Sequence, residues 1–315
     1  MSREKKILLI IIVNIIIIIS EIIFGILSNS FALIADALHN TGDVLAVVVT
    51  YLALVLGAKT TTFKQTFGYL RAEMMAAFVN TLFLYVTMIY MIYEAINRFL
   101  NPEIINPIYM IIVGFIAVIA NGISAYILNN IGVSSCAHDH DHNHSHSHKH
   151  EHKDNQNEDA NIKSAYLHML SDALISVAVV VAGIFIYFFE VYFIDSILTI
   201  LFSIYILFHS YPLLKKSFLS LMDINIIDIS QEKLELIIKE NTNVIEYHDL
   251  HIHKPSSKHN FISFHLVLKD IKMNLEEIEE ITSSIEHKLN HLGFNHVLIQ
   301  VDTSKKIKRH TNCIL

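Results

Sequence analysis

Long apolar runs dominate the first two thirds of this chain, and no other feature limits its fold so tightly. Hydropathy marks six of them: Ile7–Ile26, Phe31–Leu56, Met74–Ile96, Ile108–Ile127, Ala165–Phe188 and Val191–Phe208. A helix crossing the hydrocarbon core of a bilayer needs about 20 apolar residues, which is close to the length of each run. Backbone polar groups in lipid must be satisfied within the chain, so only helices or a closed barrel can cross. The runs lack the two-residue alternation of barrel strands, and six transmembrane helices are therefore predicted. The basic start, Met1-Ser2-Arg3-Glu4-Lys5-Lys6, has the character of a signal peptide's charged region. The apolar stretch behind it is too long and has no small-residue cleavage site, so a retained first helix is expected.

Basic residues set the orientation. Lys5, Lys6, Lys59, Lys64, Arg71, Lys149, Lys153, Lys163, Lys215 and Lys216 fall on one side of the predicted spans, and in the short loops of the other side only Arg98 does. Both termini are expected to be cytoplasmic. The formal charge of −7 gives no support to a nucleic-acid partner, and two cysteines, Cys136 and Cys313, are too few for a disulfide framework.

Near residue 215 the composition becomes ordinary and more charged, which marks a second domain. Ser230–Asn241 reads as a helix capped by Ser230, and Asn274–Leu292 as a second, amphipathic one. Glu246–Lys254 and Phe261–Lys269 alternate as strands joined by Pro255-Ser256-Ser257, and His296–Asp302 as a third. The expected architecture is an α-helical membrane bundle of six helices plus a cytoplasmic α+β domain of ferredoxin-like α-β-β-α-β order.

Two of the apolar runs carry residues that an anchor does not need. His39 and Asp43 lie in the second, His168 and Asp172 in the fifth, each pair spaced so that a helix puts both members on one face. Brought together, the pairs offer two imidazole nitrogens and two carboxylate oxygens, a tetrahedral set suited to Zn²⁺, and also to Cd²⁺ and Co²⁺. The two carboxylates cancel the ion's charge. Incidental polar residues are the bland alternative, but an aspartate near the bilayer centre costs about 2.5–3.5 kcal/mol on insertion scales. The same costly spacing on two runs argues for a site. Imidazole titrates near pH ~6.5, so protons and metal compete for the same nitrogen, and His39 and His168 are expected to couple the two. Asp36 lies off this face beside small residues, where helix packing explains it equally well.

Between the fourth and fifth runs every second residue is histidine: His138, His140, His142, His144, His146, His148, His150 and His152. Such a stretch builds no core, and its neutral imidazoles attract Zn²⁺, Ni²⁺ and Cu²⁺. It is expected to gather metal weakly near an entrance.

Together these residues resemble the cation diffusion facilitator family. The likeness is carried by Ser28-Asn29-Ser30-Phe31-Ala32-Leu33-Ile34-Ala35-Asp36-Ala37-Leu38-His39-Asn40-Thr41-Gly42-Asp43 and by Phe67-Gly68-Tyr69-Leu70-Arg71-Ala72-Glu73. The later His168-x-x-x-Asp172, the six runs, the histidine tract and the α+β tail add to it, so that almost the whole chain is covered. Two His-Asp pairs resemble the zinc-transporting branch; manganese-type members tend to have aspartates in place of those histidines. The resemblance implies a homodimer in the plasma (inner) membrane that exports Zn²⁺ in exchange for protons by alternating access, with membrane lipid, divalent ions and protons as its partners. It is not expected to be an enzyme. A transmembrane domain is expected over 1–210 with a histidine-rich loop at 136–160, a linker at 211–229, and a metal-binding, dimerising domain at 230–315.

Further positions follow from the same resemblance. Strand alternation in the tail puts Leu250, Ile252, Ile262, Phe264, Leu266 and Leu268 on one face, and leaves His251, His253 and His265 on the opposite one, with Gln300 and Asp302 on the third strand. In the family this face binds regulatory zinc where tails meet. His251, His265 and Asp302 match positions used there, while Gln300 stands where some members have histidine. Arg71 and Asp223 match a charge pair at the dimer's hinge. Tyr69 occupies the place of a histidine that some bacterial members use for an additional metal. Glu21 and Asp195 match costly intramembrane charges and are read as vestibule or proton-path groups, Asn80 and Asn121 as interhelical hydrogen-bond formers. His310 and Cys313 stay open between a site across the dimer and a frayed terminus. His248, His259, His287, His291 and His296 are read as ordinary surface or packing residues.

A membrane-anchored metal sensor is the competing class, disfavoured because an anchor needs no ligands within lipid. No His-Glu-x-x-His motif supports a metalloprotease, and no glycine-rich phosphate loop supports ATP-driven transport.

Overall fold

The computed structural model describes residues 3–57, 61–136, 152–269 and 273–302. Six long helices come first: α1 (Arg3–Ser28), α2 (Phe31–Gly57), α3 (Ala72–Leu100), α4 (Pro107–Cys136), α5 (His152–Phe189) and α6 (Phe193–Leu221). They extend past the hydropathy boundaries at several ends. Residues 211–221, expected as linker, continue α6 through Pro212, and residues 152–160, expected as loop, are the first turns of α5. Among the described residues, four stretches are long and apolar enough to cross a membrane: Ala72–Leu100, Pro107–Ile127, Met169–Phe189 and Phe193–Leu221. Ile12–Ser28 is a shorter apolar helix.

The chain divides into two compact units, Met1–Leu45 with Leu82–Ser210, and Ala46–Thr81 with Tyr211–Leu315. In the first, polarity runs opposite to that of a water-soluble protein. Ile16, Phe83, Phe115 and Phe188 are more than half exposed, while Glu21, Asp36, His39, Asp172, Asp195 and Thr199 are buried. An apolar outside with charges inside suits lipid as the solvent. Where α4 and α5 pack, glycines let the backbones close in. A Cβ at Gly114 would come within 2.9 Å of Val180, and one at Gly183 within 2.8 Å of Ile111. Small residues at such crossings are how helices associate where lipid gives no hydrophobic drive.

The start of α2 is fixed with unusual care, and this helix carries His39 and Asp43. Ser30 caps it, its Oγ accepting from the Leu33 amide at 3.3 Å. Asp195, from the first turn of α6, reaches the same end. Its carboxylate accepts from Ser30 Oγ at 2.5 Å, from the Phe31 amide at 2.9 Å and from the Ala32 amide at 3.4 Å. A carboxylate at a helix N-terminus meets both the orphan amides and the positive end of the dipole. Asp195, expected along a vestibule or proton path, is thereby accounted for as an anchor of α2. Arg98 secures the turn before it, donating to Asn29 O and Asn29 Oδ1, both at 2.8 Å, while its guanidinium lies 3.8 Å from the centre of the Phe31 ring.

The second unit holds α7 (Gln231–Ile238), β1 (Val244–His253), β2 (Phe261–Leu268), α8 (Leu275–His291) and β3 (His296–Asp302). The order matches expectation. Ser230 caps α7, and Asn274 with Glu277 forms a capping box on α8. The sheet order is β1-β2-β3, with β1 antiparallel and β3 parallel to β2. Leu234, Ile238, Ile262, Phe264, Leu266, Ile281, Ile285 and Leu289 form its core.

Candidate metal centres

In α2, His39 and Asp43 stand one turn apart, and α5 brings Asp172 to the same point. His39 Nε2 lies 3.6 Å from Asp43 Oδ2 and 3.9 Å from Asp172 Oδ1. Both separations are longer than an N–H···O hydrogen bond. They are close to the edge of a zinc tetrahedron, which is about 3.3–3.5 Å when bonds to nitrogen and oxygen are 2.0–2.2 Å. The side chains of His39 and Asp172 are 5% and 3% exposed and that of Asp43 is 40% exposed, so the cluster opens on the Asp43 side. Three of the four predicted ligands thus converge. His168 lies in α5 one turn before Asp172, with its side chain outside the described residues.

More acid surrounds this point. Glu21 of α1 is fully buried, accepts from Asn40 Nδ2 at 3.2 Å, and hydrogen-bonds with Asp36. Asp36 lies within electrostatic reach of Glu21, Asp43 and Asp172, and Glu21 within that of Asp172. One of the Glu21–Asp36 pair must carry the proton that they share, and the charge that the remaining carboxylates hold favours a small dication over an anion.

The sheet holds a second cluster, composed differently from the sequence expectation. The β1–β2 register pairs His248 with His265 but His251 with Ser263. Three residues of β1 span what two of β2 span, a β-bulge at Asp249–Leu250, with Asp249 at φ 53°. The bulge resets the alternation. His248, expected to be ordinary, stands opposite His265, and His251, expected as a ligand, is displaced from it. Ligand atoms of His248, Asp249 and His265 all lie within 4.8 Å of one another. Asp302 is close by, its Oδ2 2.7 Å from His265 Nδ1 and 3.8 Å from His248 Nε2. Gln300 pairs with His265 in the ladder and donates to Asp302 Oδ1 at 3.3 Å. The spacing carried a hint of this: His248 and His251 are three apart, a step that a regular strand cannot keep on one face.

Arg71 and Asp223 meet at 2.6 Å, each about half exposed. Beside them a cleft of about 450 Å³ is lined by Phe67, Arg71, Met75, His253, Pro255 and Phe261. His253 packs edge-on to Phe261 at 5.2 Å. Burial is the main force holding its imidazole below the ordinary pKa; Asp223 opposes this, and Arg71, His251 and His296 add to it. The Tyr69 hydroxyl accepts from Gln65 at 3.0 Å. His138 to His150, His310 and Cys313 lie outside the described residues, and His152 is described by its backbone alone, as the first residue of α5.

A helical membrane protein with acid and imidazole gathered in its interior, joined to a small metal-competent sheet domain, is the class that this geometry defines. Residues 7–222 match the cation efflux transmembrane domain and residues 227–304 the cytoplasmic domain of cation efflux proteins, so the chain belongs to the cation efflux family. The family is one of transporters, not enzymes. A protein of Bacillus subtilis named cadmium, cobalt and zinc/H(+)-K(+) antiporter is 34% identical over 315 residues, covering 100% of this chain and 93% of that one. The metal cation efflux system protein CzcD of Cupriavidus metallidurans is 30% identical over 286 residues, 90% of this chain and 82% of its own. The probable proton-coupled zinc antiporter SLC30A4 of Homo sapiens is 27% identical over 292 residues, 91% and 68% of the two chains.

Proposed function

We propose that this protein exports Zn²⁺ from the cytoplasm in exchange for protons, and that His39, Asp43, His168 and Asp172 hold the ion in transit. One observation carries the reading: His39 Nε2 has carboxylate oxygens of two helices within 4 Å, inside an apolar helical bundle. Two carboxylates neutralise the dication where desolvation is most costly, and imidazole supplies the softer ligand. Cd²⁺ and Co²⁺ fit the same donors, and relatives carry those ions in their names.

Exchange follows from competition. Metal binding needs neutral imidazole and ionised carboxylate, so each arriving ion displaces protons and each departing ion leaves ligands for protons to take. Imidazole, whose unperturbed pKa is ~6.5, is the side chain best suited to trade a metal for a proton near neutrality. Alternating access requires this cluster to face each side in turn.

The finer architecture belongs to the same proposal. All six long helices cross the membrane with both termini cytoplasmic, and the α-β-β-α-β unit is a ferredoxin-like domain through which two copies pair. The protein works in the plasma membrane, divided near 210 and 230. His248, Asp249 and His265, with Asp302 beside them, bind a regulatory Zn²⁺; Arg71 and Asp223 hold the hinge; and the histidine tract concentrates metal.

Purified protein in liposomes with a trapped zinc-sensitive dye tests the function. An outward proton gradient should draw external Zn²⁺ inward and light the dye. A dye response indifferent to the gradient, with zinc bound all the same, would instead mark a membrane-anchored sensor.

A further inference from the structure

α8 is amphipathic with one side fully committed: Ile281, Ile285 and Leu289 are buried. His287 and His291 each follow a buried residue by two positions, about 200° of helical turn, and both are exposed. They sit one turn apart on the same outer stripe, and their rings are already together, centroids 4.5 Å apart at an interplanar angle of 79°. Two histidines spaced by four on a helix are a recognised chelating unit, because the helix itself holds both nitrogens toward one point. The charge nearby is favourable. Lys288, the intervening cation, is drawn aside to Glu240 at 2.6 Å. His291 is the last residue of the helix, where backbone carbonyls present the negative end of the dipole. None of these residues belongs to the sheet cluster or to the centre in α2 and α5.

From this we infer that His287 and His291 form a third, two-point metal site on the outer face of α8. It takes a divalent first-row ion of the imidazole-preferring class, Zn²⁺ or Cu²⁺, with water completing the coordination. Neutral imidazoles suit these ions, whereas Mg²⁺ prefers oxygen and keeps its waters. Chelation distinguishes the site from two independent histidines. Once one ring holds the ion, the second binds it as an intramolecular event, which raises affinity by about 100-fold or more over either ring alone.

Histidine carbethoxylation of the full-length protein in detergent, localised by mass spectrometry, tests this residue by residue. Added Zn²⁺ should shield both His287 and His291, while Mg²⁺ at the same concentration should leave both reactive. In His287→Ala, shielding of His291 should move to about 100-fold higher Zn²⁺, and His291→Ala should do the same to His287. Alanine is the best helix former, so neither exposed substitution threatens the fold. Shielding of His265 at the sheet cluster should be the same in both variants. Equal labelling with and without Zn²⁺, shielding by Mg²⁺, or shielding of one ring that survives removal of the other would each overturn the site.

Discussion

The centre in α2 and α5 and the cluster on the sheet use the same two kinds of side chain under opposite conditions. In the first, His39 and Asp172 are buried, at 5% and 3% exposure, while Asp43, at 40%, faces the opening. In the second, His248, Asp249 and His265 are partly buried, at 12%, 17% and 27% exposure, and His265 is hydrogen-bonded to Asp302 at 2.7 Å. An ion entering the first replaces several kcal/mol of unfavourable buried charge. In the second, His248, Asp249 and His265 keep partial contact with water, which already eases the cost of their charges. The deep centre should therefore depend on every carboxylate, whereas the sheet cluster should tolerate losses and bind more weakly.

The largest effect that would break this contrast is at Asp172. Asp172→Asn keeps the shape but removes a charge, and zinc flux into liposomes should fall beyond the 10–100-fold that loss of a mere supporting contact costs, to roughly background. Flux within a few-fold of wild type would erase the distinction between the regions. At the sheet, His248→Ala should weaken zinc binding by about 10–100-fold. His251→Ala should change it by no more than about twofold, as for an ordinary surface substitution. Shielding of His265 from carbethoxylation by added Zn²⁺ in the full chain, read residue by residue and so apart from the histidine tract and the α8 pair, reports both, and the reverse order would mean the bulge does not set the ligands. Smaller again is the Arg71–Asp223 pair. A double-mutant cycle with Arg71→Ala and Asp223→Ala should give about 1 kcal/mol or less of coupling in thermal stability, because both groups are half exposed.

The smallest effect concerns His253. Its imidazole is held below its unfolded pKa, chiefly by burial, so the folded state resists the proton that the unfolded state accepts. Stability from this group is complete above the unfolded pKa near ~6.5 and declines as pH falls from there toward the lowered folded value. His253→Asn should flatten the melting-temperature profile of metal-free protein slightly on the acid side of neutrality. An unchanged or steeper profile would remove His253 from the account.

Much of this arrangement was legible beforehand, for physical reasons that differ by region. Lipid leaves few backbone options, so hydropathy located the helices even where α5 and α6 ran longer than their apolar cores. A helix also has a fixed angular step, and His39 with Asp43 could be assigned one face without knowing anything else. Asp195 was legible only as an expensive charge. Its partners, Ser30 and the amides of Phe31 and Ala32, are more than 160 positions away in sequence, and no local pattern links them. Strands carry no such fixed step once a bulge intervenes. One extra residue near Asp249 sets His248, not His251, opposite His265, and only the uneven histidine spacing foreshadowed it.

The proposal that the ion crosses on the His39 cluster is tested most directly by zinc-driven proton movement in proteoliposomes carrying His39→Ala. Loss of both zinc flux and the accompanying proton flux, with protein insertion equal to wild type, is the predicted result. Proton movement that continues undiminished would show that metal and protons meet elsewhere, and would contradict the account.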